Sequence, residues 1–170
     1  MVSFNRRFDP GLRMGLEWVA RQKPVRYVRA SMVRAARPEP DFVWGTGIHV
    51  IGALTSLVGP MTVLKPVRCP AGHDQWRVVE MESRSGALVH LEILPTCAEW
   101  EERFRLAGDG FSVDIQSGVL PPWRVRAVKD MKLEIEASSP PGEPGFVSNG
   151  TYGETEAFLD AVCAGEAMPV

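Results

Sequence analysis

Residues 87–95, Ala-Leu-Val-His-Leu-Glu-Ile-Leu-Pro, are the stretch on which the predicted fold rests. Apolar side chains occupy every second position from Ala87 to Ile93, a period that predicts a β-strand. The alternate positions are also largely apolar, since they include Leu88 and Leu94. Apolar residues on both sides predict a sheet that is covered on both faces. Helices of this chain can cover only one face, so we expect a second molecule or domain on the other.

Similar strand patterns lie on both sides of this stretch. Residues 25–35 are rich in Val, Tyr and Met, and tight turns are predicted at Ser85-Gly86 and Asp109-Gly110. The further strands are predicted at residues 61–68, 75–83, 101–107, 111–116 and 123–136. Hairpin-sized connections between most of these strands predict a largely antiparallel meander.

Three helices are predicted around the strands. Asp9-Pro10 starts a helix to about Gln22, because aspartate caps helices and proline fits their first turn. A second helix ends at Gly59-Pro60. The last helix, at about 152–164, is predicted to direct Ala157, Phe158 and Val162 into the core. Residues 138–150, rich in proline and glycine, are either an ordered loop or a mobile one. These elements predict an α+β fold with an open, mostly antiparallel β-sheet and helices packed on one face.

The candidate chemistry lies in residues 44–52, Trp-Gly-Thr-Gly-Ile-His-Val-Ile-Gly. We predict a tight turn at the two glycines, a helix capped by the Thr46 hydroxyl, and His49 in the first helical turn. The partial positive charge of a helix N-terminus disfavours the imidazolium, which predicts a neutral histidine able to accept a proton. The alternative interpretation is a capping turn with a packed histidine.

Composition excludes several classes of protein. The chain has 170 residues, of which 45% are hydrophobic and 24% charged, values typical of a globular protein with one domain. Basic residues predominate in 1–68 and acidic residues in 69–170. The arginines lack interleaved stacking aromatics, which predicts that nucleic acid is not a partner.

The cysteines predict a reducing compartment. Cys69, Cys97 and Cys163 are odd in number and far apart, which indicates free thiols and a cytoplasmic location. The N-terminus lacks the apolar core of a signal peptide, and no stretch is long and apolar enough to predict a membrane span. Cys69 and His73 have no second pair of ligands, so no metal site is predicted. The run Glu99-Trp-Glu-Glu102 is interpreted as a solvated strand edge.

Several motifs together resemble one family. They are Phe4-Asn-Arg-Arg-Phe-Asp-Pro10, Trp44-Gly-Thr-Gly-Ile-His49, Leu57-Val-Gly-Pro60, Phe104-Arg-Leu-Ala-Gly-Asp-Gly110 and the closing segment from Glu154 to Val162. In this order they resemble the C-terminal part of the Gfo/Idh/MocA oxidoreductases, relatives of glucose-fructose oxidoreductase and inositol dehydrogenase. The resemblance implies one domain over residues 1–170, in which residues 1–8 are the remnant of the last Rossmann strand and its turn.

The resemblance also implies a function. His49 would be the catalytic residue, Asn5, Arg7 and Thr46 would bind a sugar or polyol, and the second face of the sheet would form a homo-oligomer. Members of the family carry an N-terminal Rossmann domain for NAD or NADP, with a catalytic lysine in a Glu-Lys-Pro motif, and this chain has neither. No cofactor-binding residue is therefore predicted here, and NAD or NADP is expected only if another chain supplies that domain.

This sequence departs from the family's pattern at two positions near the histidine. The family's aspartate three residues after the histidine is Gly52 here, and the acidic residue often found four before it is Gly45. The imidazole therefore lacks a carboxylate that would orient it or help to take the hydroxyl proton. We expect the chain alone to be inactive because it lacks the dinucleotide-binding domain. Two hypotheses remain: a truncated or split substrate-binding and oligomerisation domain of an NAD(P)-dependent sugar oxidoreductase, or a non-enzymatic sugar-binding or dimerisation module.

Overall fold

A computed structural model describes residues 4–22, 24–67, 75–118 and 122–167. The helical elements are a 3₁₀ turn, Asn5–Phe8, a π-helical turn, Val43–Gly47, and the helices α1 (Pro10–Val19), α2 (Ile48–Val58), α3 (Gly145–Ser148) and α4 (Thr151–Ala164). The strands are β1 (Val25–Ala35), β2 (Met61–Val67), β3 (Arg77–Ser83), β4 (Leu88–Cys97), β5 (Glu101–Gly108), β6 (Phe111–Gln116), β7 (Arg124–Lys129) and β8 (Lys132–Ser138).

The strands form one sheet in the order β2-β3-β4-β1-β5-β6-β7-β8. β1 pairs with β4 in parallel, and every other neighbouring pair is antiparallel. This confirms the predicted α+β fold with an open, mostly antiparallel sheet. The meander is interrupted, because β1 lies between β4 and β5 in the middle of the sheet.

The prediction of a single strand over 123–136 is wrong, because these residues form two strands joined by a tight turn. Asp130 and Met131 have φ of 47° and 63°. Two consecutive positive φ angles are the geometry of a type I′ hairpin turn. Met131 lies at the tip and is 98% exposed. The apolar–charged alternation of 131–136 continues through the turn, so it did not reveal the break.

The core lies between the sheet and the helices on one of its faces. Val28, Ala30 and Met32 of β1 are fully buried there, as are Leu12 of α1 and Leu54 of α2. α1 packs against β6 and β7, and α2 packs against β1. Helices therefore cover one face, as predicted. None of the helices in the described ranges has the length and apolar character needed to span a membrane.

The other face, which we call the open face, is mainly charged, so the expectation that it is apolar is wrong. Leu88 is 44% exposed there, and Leu94 is half-buried. Ion pairs lie around them: Arg29 with Glu92 at 3.0 Å and Arg103 with Asp114 at 2.8 Å. β4 is apolar on both sides, but its neighbours are not, and a strand pattern alone does not reveal which residues lie beside it.

α4 is confirmed, but the side it buries is not the predicted one. Glu154 and Ala161 are buried, whereas Val162 is 57% exposed and Ala157 and Phe158 are half-buried. α4 packs mainly against the 3₁₀ turn and α3, and the Phe4 N–H donates to Glu154 Oε1 at 2.7 Å. Residues 138–150 contain α3. The strand predicted at the N-terminus falls mostly on residues 1–3, outside the described ranges.

Candidate functional site

The glycine-containing turn before His49 is helical. The Gly45 N–H donates to the Asp41 carbonyl at 2.9 Å, and Gly47 has φ −59° and ψ −25°. The π-helical turn therefore runs directly into α2, and no side chain caps α2. Thr46 does not have its predicted capping role, because the backbone N–H groups near it belong to a helix that has already begun. Its Oγ1 instead accepts a hydrogen bond from Arg37 Nη2 at 3.4 Å.

His49 is half-buried near the start of α2, and its pKa is lowered. Burial is the largest cause, followed by the positive charge of Arg6; Glu154 acts in the opposite direction, and Arg34 adds to the lowering. The predicted neutral imidazole is confirmed in direction, but burial and nearby arginines replace the helix N-terminus as the cause. Among the residues the structure describes, no group forms a hydrogen bond with the buried Nδ1 of His49.

A buried ionic cluster supports this region. Arg6 Nε donates to Glu102 Oε2 at 2.6 Å, and Arg34 Nη2 donates to Glu102 Oε1. The Glu102 side chain is 0% exposed. Burial lowers the pKa of Arg6 to about 10, against an opposing effect of Asp9. Burial, Arg6 and Arg37 lower the pKa of Arg34 to about 10.

The sequence analysis did not predict this ionic cluster, because it interpreted Glu102 as part of a solvated strand edge. The strand period contains the signal: Glu102, Phe104 and Leu106 share one side of β5, and the latter two are fully buried. Arg34 similarly follows Met32 at a spacing of two. A charged residue in phase with core residues on two neighbouring strands indicates a buried ion pair.

The predicted substrate-binding residues are only partly brought together. Asn5 and Arg7 share the 3₁₀ turn, which packs between α2 and α4, whereas Thr46 lies beside Arg37. Asn5 is 8% exposed and donates from Nδ2 to the Asn149 carbonyl at 2.9 Å, which is a structural contact. Arg7 lines a depression of about 540 Å³ between α1, α2 and α4. Substrate binding by these residues stays a prediction.

The two positions that lack a carboxylate have different surroundings. A Cβ at Gly45 would meet nothing within 4 Å. A Cβ at Gly52 would lie 2.8 Å from Phe4 Cδ1, so the Phe4 ring occupies the space that a side chain would need. An acidic residue could therefore be accommodated at Gly45 but not at Gly52 without moving Phe4.

We expect Gly45→Ala and Gly52→Ala to have opposite effects on stability. Alanine is the better helix former, so Gly45→Ala should raise the free energy of unfolding by about 0.5 to 1 kcal/mol. Gly52→Ala should lower it by about 1 to 2 kcal/mol, because overpacking against Phe4 outweighs that gain. Urea unfolding of both variants measures the difference. Equal stabilisation by both would show that Phe4 does not pack on α2.

The glycine-containing turn before His49 does not suit the pyrophosphate of a dinucleotide. A dinucleotide needs free backbone N–H groups in a glycine-rich turn at a helix N-terminus, whereas the Gly45 N–H is already bonded to Asp41. Within the described ranges, His, Cys, Asp and Glu form no group that could hold a metal. Cys69 and His73 lie outside those ranges. Cys97 and Cys163 are free thiols.

Comparison with solved structures identifies the fold. Over 98% of this chain, the structure matches 54% of a dehydrogenase (MviM) from Clostridium difficile, with a TM-score of 0.82 and 12% identity. It likewise covers 57% of levoglucosan dehydrogenase in complex with NADH and levoglucosan, with a TM-score of 0.75 and 15% identity over 98% of this chain.

A Gfo/Idh/MocA family oxidoreductase from Vibrio cholerae gives a TM-score of 0.71 and 18% identity, with 99% of this chain covering 54% of that one. The chain thus spans about half the length of these structures, and it shares its fold with Gfo/Idh/MocA oxidoreductases. No protein-family model matches the sequence, and no curated protein does.

Proposed function

We propose that this chain is the substrate-binding and oligomerisation part of an NAD(P)-dependent sugar or polyol oxidoreductase of the Gfo/Idh/MocA family, acting in the cytoplasm. The dinucleotide-binding part would be supplied by another polypeptide or by sequence beyond these 170 residues. Support comes from the shared fold and from the sequence motifs that resemble the C-terminal part of the family. The observation that carries the proposal is His49, a neutral and half-buried histidine in the motif of that family.

His49 would bind one hydroxyl of the substrate. A neutral imidazole accepts a hydrogen bond through its unprotonated nitrogen. Because Nδ1 of His49 is buried, Nε2 would be the atom that meets the hydroxyl. Burial and Arg6 keep the pKa low, so the ring remains a proton acceptor at neutral pH. Arg7 and Thr46, and Asn5 through the atoms it does not use in the fold, would make the other polar contacts. The open face would pair with a second copy.

A non-enzymatic sugar-binding or dimerisation module is the second candidate. The observation that favours it is the packing of Phe4 against Gly52, which closes one of the two positions where the family has a carboxylate. Without these carboxylates the imidazole lacks a group to orient it or to share the proton. A Gly-x-Gly-x-x-Gly turn between a strand and a helix in the adjacent reading frame would favour the oxidoreductase over the module.

Calorimetric titration of the pure chain tests the proposal. Levoglucosan, L-sorbose and myo-inositol serve as probes, because the first two appear in complexes of a matching structure. We expect at least one to bind, and His49→Ala to weaken that binding about tenfold or more through the lost hydrogen bond. NADH and NADPH should show no micromolar binding.

Thr55→Ala is the matched control. Thr55 is exposed on the same helix, and its hydroxyl donates to the Ile51 carbonyl. Its substitution should leave sugar binding unchanged. The absence of binding by every probe, or equal binding by the wild type and His49→Ala, would contradict the proposed role of His49. Micromolar NADH binding would contradict the proposal that a separate part of the protein binds the dinucleotide.

A further inference from the structure

Glu154 is a buried acidic residue that the fold holds in place. It lies in the first turn of α4 and is only 6% exposed. Its Oε1 accepts a hydrogen bond from the Phe4 N–H at 2.7 Å. Burying a carboxylate is costly unless nearby groups compensate for the lost hydration, so its neighbours indicate what it does.

Phe4 connects Glu154 to the helix that carries His49. The 3₁₀ turn that follows Phe4 packs against both α2 and α4. The Phe4 ring lies so close to α2 that a Cβ at Gly52 would be 2.8 Å from Phe4 Cδ1. Gly52 follows His49 by three residues, and residues at this spacing share one side of a helix. The residue that holds the Glu154 carboxylate therefore packs on the same side of α2 as His49.

The charges that act on His49 come from three other elements. Burial is the largest cause of its lowered pKa, and the positive charges of Arg6 in the 3₁₀ turn and Arg34 in β1 add to that lowering. Glu154 is the acidic residue among these charged groups, and it acts to raise the pKa. Glu102 is already bound by both arginines. Glu154 therefore supplies the negative charge that opposes them at the imidazole.

We propose that Glu154 is a positioning residue for proton transfer to His49, with its buried carboxylate stabilising the imidazolium form. This inference rests on the proposed role of His49 and names the group that supports it. When the substrate hydroxyl gives its proton to Nε2, the electron pair of the O–H bond stays on the oxygen and the ring becomes a cation. Glu154 stabilises that cation against the charges of Arg6 and Arg34.

The glycine at position 52 is part of this arrangement. A Cβ there would displace the Phe4 ring, and with it the N–H that holds Glu154. The glycine that leaves α2 without a carboxylate at this position thus makes room for the residue that holds the carboxylate of α4. The acidic group near the imidazole comes from a different helix, 105 residues further along the chain.

Titration of the histidine side chains by NMR tests this role without any ligand. Glu154→Gln keeps the length of the side chain and an oxygen that can accept the Phe4 N–H, but it removes the charge. The pKa of His49 should shift further downward, because the imidazolium loses its stabilising neighbour. The titration of His90, which lies 3.1 Å from Glu92 on the open face, should not change.

Calorimetric titration with the sugar probes gives a second readout. Probe binding requires the neutral imidazole as acceptor, so it should be lost as the pH falls through the pKa of His49. In Glu154→Gln this loss should occur at a lower pH than in the wild type. A merely structural role of Glu154 would weaken binding by the same factor at every pH.

Glu166→Gln is the matched control, because Glu166 is exposed beyond the end of α4 and undergoes the same change of charge. It should leave the titration of His49 unchanged. Thermal melts show whether the variants fold. If Glu154→Gln does not, Glu154→Asp is titrated instead: its charge is moved by one methylene, so a smaller downward shift is expected.

An unchanged or raised pKa of His49 in the variant titrated would overturn the role of Glu154. That result would leave the proposed function standing, since the NMR titration needs no sugar. Failure of the wild type to bind any probe would contradict the proposed function, whereas the effect of Glu154 on the imidazole would still be measured.

Discussion

Glu102→Ala should lower the free energy of unfolding by about 3 to 5 kcal/mol, the usual effect of removing one member of a buried ion pair. Glu102 is the carboxylate between Arg6 and Arg34, and its side chain is 0% exposed. Removing it leaves two buried guanidinium groups whose positive charges repel each other. Water cannot easily replace the lost carboxylate, because Arg34 is only 1% exposed.

The next residue gives the control. Glu101 lies on the opposite side of β5, is half-exposed and accepts a hydrogen bond from the Ser31 hydroxyl at 3.2 Å. Glu101→Ala should cost less than about 1 kcal/mol, as for other solvated polar contacts. Guanidinium chloride unfolding of both variants measures the difference. Similar small losses of unfolding free energy in both variants would mean that burial of Arg6 and Arg34 does not depend on the Glu102 carboxylate.

Gly150→Ala should lower the free energy of unfolding by about 2 to 5 kcal/mol. This loss combines the backbone strain of a positive φ with overpacking of the added methyl group. Gly150 has φ of 86°, and a Cβ there would collide with the carbonyl oxygen of Asn5 and lie 2.6 Å from the Asp9 nitrogen. These are backbone atoms, so no side-chain rotation can relieve the contact. The 3₁₀ turn with Asn5 and Arg7 would have to move.

Gly142→Ala separates the two causes. Gly142 has φ of 78°, but a Cβ there would meet nothing within 4 Å. Its substitution should therefore cost only the strain of a positive φ, about 1 to 2 kcal/mol. The difference between the two variants in urea unfolding measures the close approach of residue 150 to the 3₁₀ turn. Equal losses of unfolding free energy in the two variants would show that the close contact with the 3₁₀ turn adds no cost at residue 150.

The elements themselves could be predicted from the sequence because their signals are local. Asp9-Pro10 starts α1, and the Asp9 side chain accepts the Leu12 N–H at 2.9 Å as a capping residue should. Glycines with positive φ mark the turns at Gly86 and Gly110. Strand periods were sufficient to predict the α+β class, whereas the turn at Asp130-Met131 contains no glycine and was missed.

The candidate site could be predicted only in part. The motif indicated His49, and the direction of its pKa was predicted correctly. The cause of the lowered pKa could not be predicted, because Arg6 lies 43 residues before His49 in the sequence. Arg34 and Glu154 also come near His49 only through the fold. The predicted Thr46 cap failed because the helical turn begins earlier, directly after Asp41, whose carbonyl accepts the Gly45 N–H.

The sequence by itself determined which segments become strands and helices, since periodicity, capping residues and turn glycines act over a few neighbouring residues. The tertiary structure alone decided the insertion of β1 between β4 and β5, the burial of Glu102 between Arg6 and Arg34, and the charged character of the open face. Each of these depends on which strands lie side by side. Cross-strand neighbours are chosen by the packing of the whole sheet, so a charged residue acquires its partner only when distant segments meet.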